Sequence, residues 1–144
     1  MARIDMRKKH KLGMAAVMGL EGYNRAHLPK VLYEMVKLRA SELNQCGYCI
    51  AMHTTALRKS GVTDERITAA GTGPLPNPDL DGRENAALIL TEHLTRIDPA
   101  EGISDAVWDA AAEHFDDAAL GNLVLGIATI NVFNRVNIAT RLEA

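Results

Sequence analysis

The chain has only two cysteines, Cys46 and Cys49, and they lie three residues apart, with His53 four residues further on. If a helix begins near Cys46, these side chains fall on one stripe of it together with Ile50 and Leu57. Two sulfurs one helical turn apart can form a disulfide, and a histidine one turn beyond Cys49 can reach its sulfur directly or through one water. The spacing therefore indicates thiol chemistry with a nearby base.

The same three residues predict a redox cycle. A free thiol has a pKa of about 8.5, and the thiolate is the reactive form. The N-terminus of a helix favours the thiolate at Cys46, and His53 favours it at Cys49. A peroxide oxidises a thiolate to a sulfenic acid, a neighbouring thiol condenses with it to a disulfide, and an external dithiol reopens that disulfide. We expect Cys49 to attack first, because an adjacent base activates a nucleophile directly.

A lone Cys-x-x-Cys pair leaves other interpretations open. A zinc site needs four ligands, and only Cys46, Cys49 and His53 are local, so a distant side chain would have to complete it. The pair can also serve as a non-catalytic redox sensor or interaction module, which is oxidised once and does not turn over. Two buried structural cysteines are a further alternative.

Composition narrows the class of protein. A chain of 144 residues with 47% hydrophobic and 24% charged residues predicts one globular domain spanning residues 1–144. A net charge of -2 argues against a nucleic-acid partner. The apolar stretch from Leu12 to Leu20 is short and interrupted by glycines, which argues against an export signal. No segment approaches the roughly 20 apolar residues of a membrane-spanning helix. Secreted domains stabilised by disulfides usually have more cysteines, spread along the chain, than the two closely spaced ones found here. We therefore expect a cytoplasmic protein with no membrane partner.

The elements that must position these residues are predicted to be helices. Period-2 alternation is absent, whereas capping residues, glycines and prolines divide the chain into helical segments. The predicted helices run over about 11–25, 28–43, 46–60, 63–70, 81–97, from 104 onward, and 116–141, with a loop over 71–79. The last helix is apolar on most sides, which predicts a central position or a subunit interface and hence a homo-oligomer.

A fourth residue enters through a resemblance. Glu34, followed by Cys46-x-x-Cys49 and then His53, resembles the signature of alkylhydroperoxidase D (AhpD), within the carboxymuconolactone decarboxylase-like superfamily. The runs 38–44 and 127–135 are also similar to the small single-domain AhpD-like members. The resemblance covers about residues 20–141. Glu34 itself lies at the edge of the apolar stripe of its helix, a position that permits partial burial.

The resemblance implies an all-α bundle of about six or seven helices that assembles into trimers, or into hexamers built from trimers. It implies an antioxidant peroxidase or disulfide reductase without metal, haem or other cofactor. Glu34 and His53 would relay protons through water to Cys49, which meets the hydroperoxide. Cys46 would be the more exposed, resolving thiol, reduced by a dithiol such as a lipoyl-bearing protein. Tyr48 occupies the place of a prototype histidine, so part of that proton relay is missing.

Overall fold

The computed structural model describes residues 1–143, and eight α-helices with no β-strand make up that part of the chain. The helices are α1 Met6–Lys9, α2 Lys11–His27, α3 Lys30–Leu43, α4 Gly47–Lys59, α5 Asp64–Gly71, α6 Gly82–Thr95, α7 Asp105–Ala112 and α8 Asp117–Thr140. The all-α prediction is confirmed, and the expected six or seven helices become eight. The additional helix is α1, whose four residues are too few to show a periodic pattern.

Capping residues set most of the helix starts. Thr63, Asp81, Ser104 and Asp116 are N-caps, and each side chain accepts a hydrogen bond from the backbone N–H three residues later. At α6 the pair Asp81 and Glu84 forms a reciprocal capping box. The sequence therefore placed these four starts to within a residue.

Helix α3 is the centre of the bundle. Nine of its fourteen residues are buried, and it packs against α4, α5, α6 and α8. The prediction of a central position for the last helix is therefore wrong, whereas the subunit interface that its apolar surface also predicts stays a prediction. One face of α8 lies in the core, where Leu120, Leu123 and Ile127 are buried, but Val132 and Ile138 on other faces remain 40% and 45% exposed.

Helix α8 also corrects the statement that no segment resembles a membrane span. Its 24 residues make it long enough and apolar enough to cross a membrane, by length and composition alone. Ten of its 24 residues are large and apolar, and the asparagines near its C-terminal end lower its hydropathy. The inner face of α8 packs against α2, α3 and α6, as in the core helix of a folded domain.

Gly126 allows α8 to approach α3 closely. A Cβ atom at Gly126 would lie 2.8 Å from Leu28 Cδ1 and 3.0 Å from Tyr33 Cε1, whereas one at Gly121 in the same helix would meet nothing within 4 Å. We expect Gly126→Ala to lower the free energy of unfolding by about 1–2 kcal/mol, because overpacking outweighs the helix propensity of alanine. Gly121→Ala should raise it by about 0.5–1 kcal/mol. Urea denaturation of both variants tests this, and equal effects would contradict it.

Candidate active site

The two cysteines form a disulfide at the start of α4. Their Cα atoms are 5.3 Å apart, within the range that a disulfide requires. Cys46 is the N-cap and Cys49 the third residue of the helix, so the positive end of the helix dipole acts on both sulfurs. The helix dipole therefore favours the thiolate at both cysteines and does not identify Cys46 as the more reactive one. Cys46 is 3% exposed and Cys49 0%, so both sulfurs lie below the surface in the disulfide form and differ little in exposure.

A tight turn places this disulfide against the end of α3. The backbone N–H of Cys46 donates to the carbonyl of Ser41 at 3.0 Å, and that of Gln45 donates to the carbonyl of Glu42 at 3.2 Å. Gln45 has a φ of 58°, in the left-handed region that usually favours glycine. This conformation ends α3 and starts α4 within three residues, so that residues late in α3 and early in α4 lie side by side.

Glu34 and His53 meet between these two helices. Glu34 Oε2 lies 2.7 Å from His53 Nδ1, and the two side chains are 13% and 5% exposed. Because a carboxylate accepts, Nδ1 carries the proton, and Nε2 of a neutral imidazole then has a free lone pair. Nε2 is buried and has no hydrogen-bond partner among residues 1–143. An unpartnered ring nitrogen one turn beyond Cys49 is suited to accept and return a proton.

Glu34 is held in its ionised form. Burial alone would raise the pKa of this carboxyl group, but hydrogen bonds from His53 and Lys37 bring the pKa below its usual value. Lys37 Nζ donates to Glu34 Oε1 at 2.7 Å from one turn further along α3. An ionised Glu34 fixes the His53 tautomer, as a carboxylate does for an imidazole in other proton-transfer sites.

Further polar residues continue this contact toward α2. Lys37 Nζ also donates to Glu21 Oε1 at 3.2 Å, and the Tyr33 hydroxyl donates to the other oxygen of Glu21. Asn24 Nδ2 donates to the Tyr33 oxygen at 3.1 Å and to Thr129 at 2.9 Å. Burial and the neighbouring Glu21 carboxylate raise the pKa of Tyr33 well above its usual range, so this phenol stays a donor.

Helix α8 supplies a contact to Cys49 itself. Asn137 Nδ2 lies 3.4 Å from Cys49 Sγ, in position to donate a hydrogen bond to the sulfur. The helix is fixed there by Asn134, whose amide donates to Ser41 at 3.0 Å and accepts from Asn44 at 3.0 Å. A donor aimed at the sulfur favours the thiolate over the thiol, and this contact is made to Cys49.

Sequence reasoning missed Glu21, Lys37 and Asn137. Only Lys37 left a signal. Lys37 stands between Val36 and Leu38 in the apolar part of α3, and it lies three residues from Glu34, a spacing at which opposite charges pair on a helix. Glu21 and Asn137 left none, because their partners lie on other helices.

Tyr48 lies outside the group of contacts around Glu34 and the cysteines. Tyr48 lines a shallow groove with Ala51, Met52 and Thr55 on the opposite side of α4 from the buried face that carries Cys49 and His53. Its phenol therefore takes no part in the contacts around Glu34.

The zinc alternative finds no support in the side-chain arrangement. Among residues 1–143 no three histidine, cysteine, aspartate or glutamate side chains are arranged to hold a metal ion.

Comparison with known proteins decides the family. The model of the carboxymuconolactone decarboxylase family matches residues 11–92, more than half of the chain and including Glu34, both cysteines and His53. The chain belongs to this family. Within it the chain is an AhpD-like member, as the resemblance of its motif implied. An AhpD alkyl hydroperoxide reductase from Hyphomonas neptunium is 49% identical to it over 41 residues, 28% of this chain and 23% of that protein.

Longer matches support the same family and fold. The uncharacterized protein YdfG of Bacillus subtilis is 37% identical over 131 residues, covering 88% of this chain and 86% of that protein. A protein of unknown function from Agrobacterium tumefaciens, described as a putative antioxidant defence protein AhpD, superposes with a TM-score of 0.92 at 27% identity, covering 99% and 97% of the two chains. The debrominase Bmp8 has a TM-score of 0.79 at 23% identity, covering 96% of this chain and 73% of that one, which shows a shared fold.

Proposed function

We propose that this AhpD-like protein is a thiol-dependent hydroperoxidase and disulfide oxidoreductase that uses Cys46, Cys49, His53 and Glu34. One observation carries the proposal. A disulfide-forming cysteine pair lies on the same helix face as a histidine whose Nδ1 is held by an ionised glutamate 2.7 Å away and whose Nε2 has no partner among the described residues. A dithiol with an oriented base is the minimal equipment for two-electron peroxide reduction.

The proposed cycle starts from the dithiol form. His53 takes the proton of the Cys49 thiol, and the thiolate attacks one oxygen of a hydroperoxide. The O–O bond breaks, Cys49 becomes a sulfenic acid, and His53 returns the proton to the departing alkoxide, so that an alcohol leaves. The Cys46 thiol then attacks the sulfenic sulfur, water leaves, and the disulfide closes.

An external dithiol completes the cycle. One of its thiolates attacks the disulfide, and its second thiol resolves the mixed disulfide, which returns two electrons to Cys46 and Cys49. Both sulfurs are buried, so we propose a slender reductant such as a lipoyl arm on a carrier protein.

We also propose that the protein acts as a homo-oligomer in the cytoplasm.

Stoichiometry tests the proposed function. Reduced protein mixed with cumene hydroperoxide is expected to lose both of its thiols and to form one cumyl alcohol per chain. Dihydrolipoamide should then support repeated turnover. Retention of both thiols after mixing would overturn the assignment. Loss of both thiols without turnover by any of several dithiols would favour the redox-sensor interpretation instead.

A further inference from the structure

Beyond Glu34, a buried chain of charged groups continues away from the cysteines. Its groups alternate in sign: Glu34 on α3, Lys37 on α3 and Glu21 on α2. Lys37 Nζ lies 2.7 Å from Glu34 Oε1 and 3.2 Å from Glu21 Oε1, so a single ammonium joins both carboxylates. The chain reaches the surface at Arg25, whose Nε donates to Glu21 at 3.0 Å.

The charged side chains of this arrangement are buried, so each of them needs a partner of opposite charge. The side chains of Lys37 and Glu21 are 3% and 6% exposed, and a charge removed from water is strongly unfavourable unless it is paired. Two carboxylates compete for one buried ammonium, and Lys37 also lies over the ring of Tyr33, 4.2 Å from its centroid. The position of Lys37, and with it the ionisation of Glu34, therefore depends on Glu21.

We propose that Lys37 and Glu21 are positioning residues for the His53 base, so that the charges of the chain Glu21–Lys37–Glu34–His53 set the pH range in which Cys49 is a thiolate. The proposal rests on the proposed function in taking Cys49 as the nucleophile. Neither Lys37 nor Glu21 contacts the sulfurs, and both act through Glu34.

Among residues 1–143, no charged side chain other than Arg25 and His53 pairs with Glu21, Lys37 or Glu34. Helix α2 supplies Glu21 and Arg25, and α4 supplies His53. Helix α8 supplies the uncharged Thr129 and Asn137. On α6, Glu92 pairs with Arg39 instead. Removing one charge from the chain should consequently shift the titration of Cys49 in a direction set by the sign of that charge.

The test uses the full chain carrying Cys46→Ser, which leaves Cys49 as its one thiol. The thiolate is titrated by its ultraviolet absorbance, and the variant lacking both cysteines supplies the blank. No peroxide and no reductant are needed, so the outcome is independent of whether the proposed turnover occurs. Lys37→Met, Lys37→Arg and Glu21→Gln are compared in this background, with the exposed Lys30→Met on the same helix as the matched control.

Opposite shifts are expected. Loss of the positive charge in Lys37→Met should move the titration midpoint up by about one pH unit, and loss of the negative charge in Glu21→Gln should move it down by about half a unit. Lys37→Arg should restore the midpoint, and Lys30→Met should leave it unchanged. Shifts of the same sign, or no shift in folded variants, would overturn the proposal. If Lys37→Met does not fold, Glu21→Gln decides alone: a downward shift supports the proposal and an unchanged midpoint overturns it.

Discussion

Replacement of Cys49 by serine is expected to lower the rate of peroxide reduction by more than about a thousandfold. A thiolate can be oxidised by two electrons to a sulfenic acid, and a serine hydroxyl has no corresponding reaction. Cys46→Ser should behave differently. It should consume one hydroperoxide per chain and then stop, since the sulfenic acid on Cys49 has no partner with which to condense. The decisive measurement traps the sulfenic acid with a dimedone-type reagent and locates it by mass.

The contacts in the structure are the reason that we expect Cys49, and not Cys46, to react first with peroxide. The N-terminal end of α4 lies at both cysteines, whereas Asn137 donates to Cys49 and His53 lies one turn beyond Cys49 on the same helix face. Each variant is the matched control of the other, because both remove one sulfur from the same disulfide. A trapped sulfenic acid on Cys46 in the Cys49→Ser variant, with peroxide consumed at an undiminished rate, would reverse the assignment.

Glu34→Gln is expected to slow the reaction of Cys49 with peroxide by about 10- to 100-fold, a part of the roughly 10²- to 10⁴-fold that a positioned general base contributes. The amide has no charge to stabilise an imidazolium, and its NH₂ group can turn toward Nδ1 and select the wrong tautomer. The measurement is the single-turnover rate with reduced protein. Glu65→Gln on the exposed first turn of α5 is the control and should react at the wild-type rate.

Stability gives an independent check of the Glu34 environment. The pKa of this carboxyl group is lowered from 4.5 in the folded chain, so its ionised form stabilises the fold at pH values above 4.5, and that contribution is lost as the pH falls through the lower folded value. The difference in unfolding free energy between wild type and Glu34→Gln should therefore shrink as the pH falls from 4.5 through the lower folded value. A difference that grows on acidification would contradict the charge state proposed here. Urea denaturation across this pH range measures it.

Much of this molecule could be predicted from local sequence. Helix starts at Thr63, Asp81, Ser104 and Asp116 follow from capping chemistry, which operates within one turn of the chain. The spacing of Cys49, His53 and Leu57 places them on one buried face of α4 because the period of a helix is a local property. Glu34 was recognised through the family motif, since its position at the edge of a stripe is by itself equally typical of a solvated glutamate.

The contacts between helices could not be predicted from the sequence. The apolar pattern of the last helix predicts a central position or a subunit interface, and the central position is taken by α3. The pattern of α3 did not show this, because its four neighbouring helices bury polar side chains such as Lys37 and Arg39 as well as apolar ones. Lys37 meets Glu21 across 16 residues of sequence, and Asn137 meets Cys49 across 88. Hydrophobic periodicity reports which face of a helix turns inward. It carries no information about which residue of another helix will lie opposite, and that pairing determines the charge and hydrogen bonds around the cysteine pair.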